Sequence, residues 1–262
     1  MSERLPLFPL GAVLFPGLVM PLHIFEERYR RLVGDLLDRP ADEPRRFGVV
    51  AIELGHEVGP GAARRLASVG CTAEVHGVTR YEDGRYDLIC TGAERFRVDR
   101  VDEDGAYPIA DVTPLPEEAG PVPETEPGTV TRLFRRYTER LNAAADEASG
   151  MTADDIEEAA APDTAEDEPA GEDAGEATPV RPGLAARLTL PDELPDEPLP
   201  LSYLVAATML LGRAERQRLL AAEHAAARLE HERELLLREI RLLGKLRSIP
   251  ADNLLTDPVT PN

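Results

Sequence analysis

The chain has 262 residues, 42% of them hydrophobic, and a formal net charge of −20. The apolar content suffices for a sizeable core, which excludes a wholly disordered chain, and the length fits one domain or two smaller ones. The excess of acid argues against a surface built to coat a phosphate backbone, because such surfaces use Lys and Arg to displace counterions.

The imbalance is local. Between Ala143 and Val180 stand thirteen acidic residues and no basic one. Asp, Glu, Ala, Pro and Gly dominate there and no aromatic residue occurs, so a disordered, solvating tether is the expectation. The rest of the chain is only mildly acidic. The first apolar stretch, Leu5 to Phe25, is long enough to suggest a signal or membrane helix. Pro6, Pro9, Pro16 and Pro21 would break such a helix four times, and no small-residue cleavage site follows. The expectation is a cytoplasmic protein with no membrane partner.

Leu5 to Leu10, Val13 to Phe15 and Leu18 to Phe25 read as extended segments, with Pro16-Gly17 as a turn. The period then changes. Tyr29, Leu32, Val33, Leu36 and Leu37 recur at helical spacing, Glu26 and Glu27 sit in the first turn, and Pro40 follows the end. From Phe47 the period returns to strand length. Leu66 to Tyr81 and Arg85 to Thr91 flank an Asp83-Gly84 hairpin signal that would set Tyr81 opposite Tyr86 and Thr79 opposite Leu88. A further strand begins at Phe96, Val98 and Val101, and an Asp104-Gly105 turn leads into Tyr107 to Leu115. Six or so strands and one early helix predict a small barrel-like β domain.

Val130, Leu133, Phe134, Tyr137 and Leu141 mark a second helix after a Pro/Glu-rich joint. Leu201 to Leu211 marks a third. Arg213 to Arg247 reads as one long helix with Leu229, Leu236, Ile240 and Leu243 on its apolar face. Its nine basic and six acidic residues allow bundle packing, or self-association of a protruding part. The divisions read from these patterns are a β domain over 1–116, a joint and first bundle helix over 117–147, the acidic insert over 148–181, a helical subdomain over 182–249 and a tail over 250–262.

The predicted hairpin places Cys90 opposite Gly77, with Cys71 about 20 Å away at about 3.3 Å per residue. A disulfide needs Cα atoms within about 7 Å, so both cysteines are expected as reduced, buried thiols.

Several segments together resemble the Lon N-terminal, or substrate-binding, domain family. They are Leu5-Pro-Leu-Phe-Pro-Leu10, Phe15-Pro-Gly17, Pro21-Leu-His-Ile-Phe25 with its following helix, and Cys71 to Phe96 ending in Gly92-Ala-Glu-Arg95-Phe96. The late Leu201-Ser-Tyr-Leu-Val205 and the final helix look like the family's helical half. The resemblance implies an α+β fold, a PUA-like β-barrel domain followed by a small α-helical bundle with a long C-terminal helix. It also implies recognition of unfolded or damaged polypeptides, or service to a protease partner. The chain looks like the stand-alone bacterial Lon-domain proteins. ATPase and Ser-Lys protease modules are expected to be absent, since no G-x-x-x-x-G-K-[ST] loop occurs.

Candidate chemistry is sparse. Lys245 and Ser248 form the one close Ser/Lys pair, at a helix end with nothing to desolvate the amine, and no G-x-S-x-G elbow or Cys-His motif occurs. His224 and His231 are seven apart on the long helix, about 10.5 Å in rise, too far for one ion unaided. His23 and His76 belong to the β region. The acid run lacks an EF-hand frame. No catalytic, cofactor-binding or metal-ligating residue is assigned, and no cofactor is expected. The basic clusters Arg28, Arg30 and Arg31, and Arg95, Arg97 and Arg100, are interleaved with Glu26, Glu27, Glu94 and Asp99. That pattern speaks against nucleic acid, although PUA-like folds include RNA binders. The expected function is a non-catalytic polypeptide-binding module, an adaptor or holdase in protein quality control, that offers an apolar groove or strand edge. Its homo-oligomerisation through the C-terminal helix is a further expectation. Phe8, Phe15 and Phe25 are expected to fill the barrel, and Gly92, Arg95 and Phe96 to be structural.

Overall fold

The computed structural model describes residues 3–40, 43–55, 63–149, 188–191 and 193–246. The acidic stretch from 150 onward and the tail over 250–262 lie outside the described residues. Among these residues the chain forms six strands and five helices in an α+β arrangement. The strands are β1 (Glu3–Leu10), β2 (Val19–Ile24), β3 (Arg46–Gly55), β4 (Ala63–Arg80), β5 (Tyr86–Asp102) and β6 (Ile109–Pro114). The helices are α1 (Glu27–Leu37), α2 (Glu126–Ser149), α3 (Pro198–Thr208), α4 (Arg213–Leu220) and α5 (Ala225–Leu246). No described helix is long and apolar enough to cross a membrane.

The sheet is mixed and runs β2-β5-β4-β3-β1-β6, with β5 also pairing to β6. Strand β1 pairs with two neighbours through different residues. Glu3 to Pro6 lie antiparallel to β6, whereas Leu7 to Leu10 lie parallel to β3. The sheet therefore curls back on itself with a stagger at β1, and is barrel-like without being an evenly closed barrel. Its interior holds Leu7, Phe8, Phe15, Phe47, Phe96, Cys71 and Cys90. Both cysteines are free, as expected, although Cys90 faces Val75 and not Gly77. On α1 the residues Tyr29, Leu32, Val33 and Leu36 are buried, which is the stripe legible in the sequence.

Five expectations need correction. Arg85–Thr91 and the segment from Phe96 are one strand, β5, which pairs through its first half with β2 and its second half with β6. Register shifts against β4 let it bend through Gly92 instead of ending there. The hairpin register is one residue away from the prediction: Arg80 faces Tyr86, Thr79 faces Asp87 and Val78 faces Leu88. The loop holds three residues, not two, because Tyr81 N–H bonds to Arg85 O at 2.9 Å and Gly84 takes φ +82°. The β-barrel that the resemblance implied is not evenly closed, because β1 divides its pairing between β6 and β3. Phe25 is half-exposed at the end of β2, 6.3 Å from the His23 ring, and does not fill the core.

The long helix from Arg213 is in fact two, α4 and α5, separated at Ala221 to His224. No Gly or Pro causes the break. The carbonyl of Leu219 accepts from Arg228 Nε at 2.9 Å, and those of Leu220 and Ala222 accept from Arg95 at 2.9 and 2.5 Å. Beyond the gap, Ala225 and Ala226 donate to the carbonyls of Glu118 and Ala119 at 3.0 and 2.9 Å. The His224 ring accepts from Ala227 N–H at 3.0 Å, an N-cap. These carbonyls and N–H groups at the break thus have partners elsewhere, which lowers the usual penalty for ending a helix.

Candidate functional site

Helix α3 and the loop before β2 face each other across a groove of about 470 Å³. Pro16, Gly17 and Leu18 form one wall, and Leu199, Pro200, Leu204, Ala207 and Thr208 the other, with Glu117 and Tyr203 between them. The loop is fixed to β5: Gly17 N–H donates to Gly92 O at 2.8 Å and Gly92 N–H donates to Leu18 O at 2.9 Å. Helix α3 opens with Pro198 in its first turn, where a missing N–H costs nothing. It turns Leu201, Ser202, Val205 and Ala206 into the core and leaves Leu199, Leu204 and Ala207 half-buried along the groove. Val19 follows Leu18 directly and Leu210 lies two residues beyond Thr208, and both are exposed apolar residues, at 57% and 56%.

From Glu117 in the groove a chain of polar groups runs inward, and its other members are buried. Glu117 follows β6 and accepts from Arg95 Nε at 2.8 Å through one oxygen and from the Tyr203 hydroxyl at 2.5 Å through the other. Arg95 is 1% exposed, and its remaining donors reach Pro116, Leu220 and Ala222 carbonyls. Arg228 lies 4.0 Å over the Tyr203 ring and donates to Ser202 Oγ at 2.8 Å and to the Tyr203 hydroxyl at 3.2 Å. Burial and the hydrogen bond to Glu117 push the Tyr203 phenol above its ordinary range, so it acts as a donor. One turn along α5, Glu232 is fully buried and neither carboxyl oxygen has a hydrogen-bond partner. Burial drives this carboxyl well above its usual range, towards the uncharged form, against the opposing pull of Arg228.

Two side chains of α4 dock the helices on the β region. Arg216 stacks 5.1 Å over Phe15 and donates to Ala207 O, and Gln217 donates to Val69 O at 2.9 Å. The groove is therefore held from both sides.

The residues flagged in the sequence do not converge. Among the described residues no three His, Cys, Asp or Glu side chains gather as a metal site. His23 pairs with Asp87 at 2.6 Å at the surface, His76 is exposed and His224 caps α5. Ser248 lies outside the described residues. One arginine of each basic cluster pairs with an acid beside it: Arg28 with Glu26 at 2.9 Å and Arg97 with Asp99 at 3.0 Å. Arg95 is not a surface cation at all. Sequence reasoning named no binding residue. Arg95, Ser202 and Tyr203 sit within segments it had singled out, but nothing in the sequence links β5 to α3.

A family model described as "ATP-dependent protease La (LON) substrate-binding domain" matches residues 4–238. Lon protease 2 of Syntrophobacter fumaroxidans is 29% identical over 129 residues, 48% of this chain and 15% of that protein. Lon protease 2 of Sorangium cellulosum is 33% identical over 117 residues, 44% of this chain and 14% of that protein. The chain thus matches only a small part of these relatives' length. A crystal structure of a Lon N-terminal domain protein from Xanthomonas campestris shares the fold, with a TM-score of 0.53 at 22% identity. That likeness covers 90% of this chain and 98% of the other.

Proposed function

The chain belongs to the LON substrate-binding domain family, and from that membership we propose that it is a non-catalytic polypeptide-binding module. It would act as an adaptor or holdase in cytoplasmic protein quality control, on unfolded or damaged chains or alongside a protease. The observation that supports this reading is the apolar groove between Pro16–Gly17–Leu18 and α3. Its walls are apolar, it opens to solvent, and two anchored elements pre-form it, which lowers the ordering cost of binding an extended segment. The β part over 1–116 and the helical part over 182–249 would be two halves of one binding unit, with the groove at their junction.

The test is retention of a thermally unfolded client enzyme and suppression of its light scattering. Wild-type protein should slow aggregation at equimolar ratio. Ala207→Trp, which fills the groove from α3, should weaken client binding about tenfold or more, because the bulky ring occupies the space the segment needs. Failure of the wild-type protein to retain or protect any client would sink the reading.

A further inference from the structure

Polypeptide binding in the groove, if that reading holds, raises the question of which segments it takes. Three polar side chains reach its walls. The Tyr203 hydroxyl is spent on Glu117. Thr208 Oγ1 donates to Leu204 O at 2.7 Å. Glu117 accepts twice but keeps lone pairs, and its side chain is 26% exposed.

The backbone is almost as poor in donors. Leu18 N–H donates to Phe15 O at 3.1 Å, and Gly17 N–H to Gly92 O. The first turn of a helix normally presents free N–H groups to an anion. In α3, Pro198 and Pro200 have none, and Leu201 N–H donates to Glu197 O at 3.1 Å. Leu199 alone keeps a first-turn N–H. Among the described lining residues the side chains therefore offer acceptors and no free donor. A carboxylate entering this space would find no side-chain donor to replace its water, whereas an amide N–H or an ammonium would find the Glu117 carboxylate.

We propose that the groove selects apolar polypeptide segments whose polar groups are donors, and rejects segments that place a carboxylate in it, with Glu117 as the specificity-determining residue. Arg95 balances the charge of Glu117 at 2.8 Å, so the selection is for a donor and not for net positive charge.

Isothermal titration calorimetry on the full chain tests this with three acetylated, amidated peptides of Leu, Phe and Ala that differ only in a central Gln, Glu or Lys. The Gln and Lys peptides should bind within about threefold of each other, and the Glu peptide about tenfold or more weaker. Glu117→Gln supplies an N–H, so the penalty on the Glu peptide should shrink in that variant. Equal binding of the Gln and Glu peptides by wild-type protein would overturn the donor rule and leave polypeptide binding intact. An unchanged penalty in folded Glu117→Gln would overturn the role of that residue. Binding of none of the three would overturn the polypeptide reading, and this inference with it. Should Glu117→Gln fail to fold, the Gln-against-Glu comparison on the wild-type chain decides the rule.

Discussion

The guanidinium of Arg95, in the middle of strand β5, donates to the carbonyl oxygen of Leu220 at the end of helix α4, 125 positions away. The same side chain holds Glu117 beneath the groove and takes up a second carbonyl at Ala222. One buried cation thereby closes a helix, joins the β part to the helices and positions the acceptor in the groove.

Arg95→Ala should destabilise the protein by about 3 kcal/mol or more, since it strands the Glu117 carboxylate and at least two carbonyls. Arg95→Lys should recover only part of this, because an ammonium cannot reproduce the guanidinium fork. Urea titration followed by circular dichroism measures both. Wild-type stability in Arg95→Ala would show that the contact is incidental.

Glu232 makes a prediction about pH. Its folded-state pKa lies above the unfolded value, so the native state keeps a proton that the unfolded chain releases above about pH 4.3. Wild-type stability at this site therefore falls as pH rises past that point. Glu232→Gln removes the dependence. The melting temperature of the variant relative to wild type should be higher at pH 8 than at pH 4.5. A difference that stays constant across this range would place an ionised carboxylate in the core.

The two cysteines should be silent to a thiol reagent. Burial alone pushes the Cys90 thiol up to about 12, and burial, as the largest of several causes, raises Cys71 further still, so neither supplies thiolate at neutral pH. Ellman's reagent at pH 8 should report no thiol in the native protein and two after guanidinium denaturation.

Two glycines should respond in opposite directions to alanine. A Cβ at Gly92 would stand 2.1 Å from Phe15 O, where β5 passes the loop that walls the groove. Gly92→Ala should cost about 3 kcal/mol or prevent folding, as overpacking against backbone cannot relax cheaply. On α1, a Cβ at Gly34 meets nothing within 4 Å. Gly34→Ala should therefore stabilise by about 0.5–1 kcal/mol through helix propensity. Thermal melts of the two variants separate these outcomes.

Local periodicity carried the element types. The stripe of Tyr29, Leu32, Val33 and Leu36 marked α1 because a helix on a sheet buries one face, and that face repeats in the sequence. The α+β class was legible through the family resemblance, and the free thiols through the distance between Cys71 and Cys90 along the strands. The hairpin register was less so. One extra loop residue shifts every pair, and Asp83-Gly84 fits a two-residue or a three-residue turn equally well.

What the tertiary structure decided is the break between α4 and α5 and everything that depends on it. Residues 221–224, Ala-Ala-Glu-His, contain no helix breaker, and the pattern through Arg247 reads as continuous. The helix ends because Arg95 and Arg228 satisfy its last carbonyls, and the next begins because Glu118 and Ala119 accept its first N–H groups. The groove has the same origin. Pro16, Glu117 and Tyr203 come from three distant stretches. A one-dimensional pattern records which face of each element is apolar, whereas a buried guanidinium chooses its carbonyls only once those elements have packed.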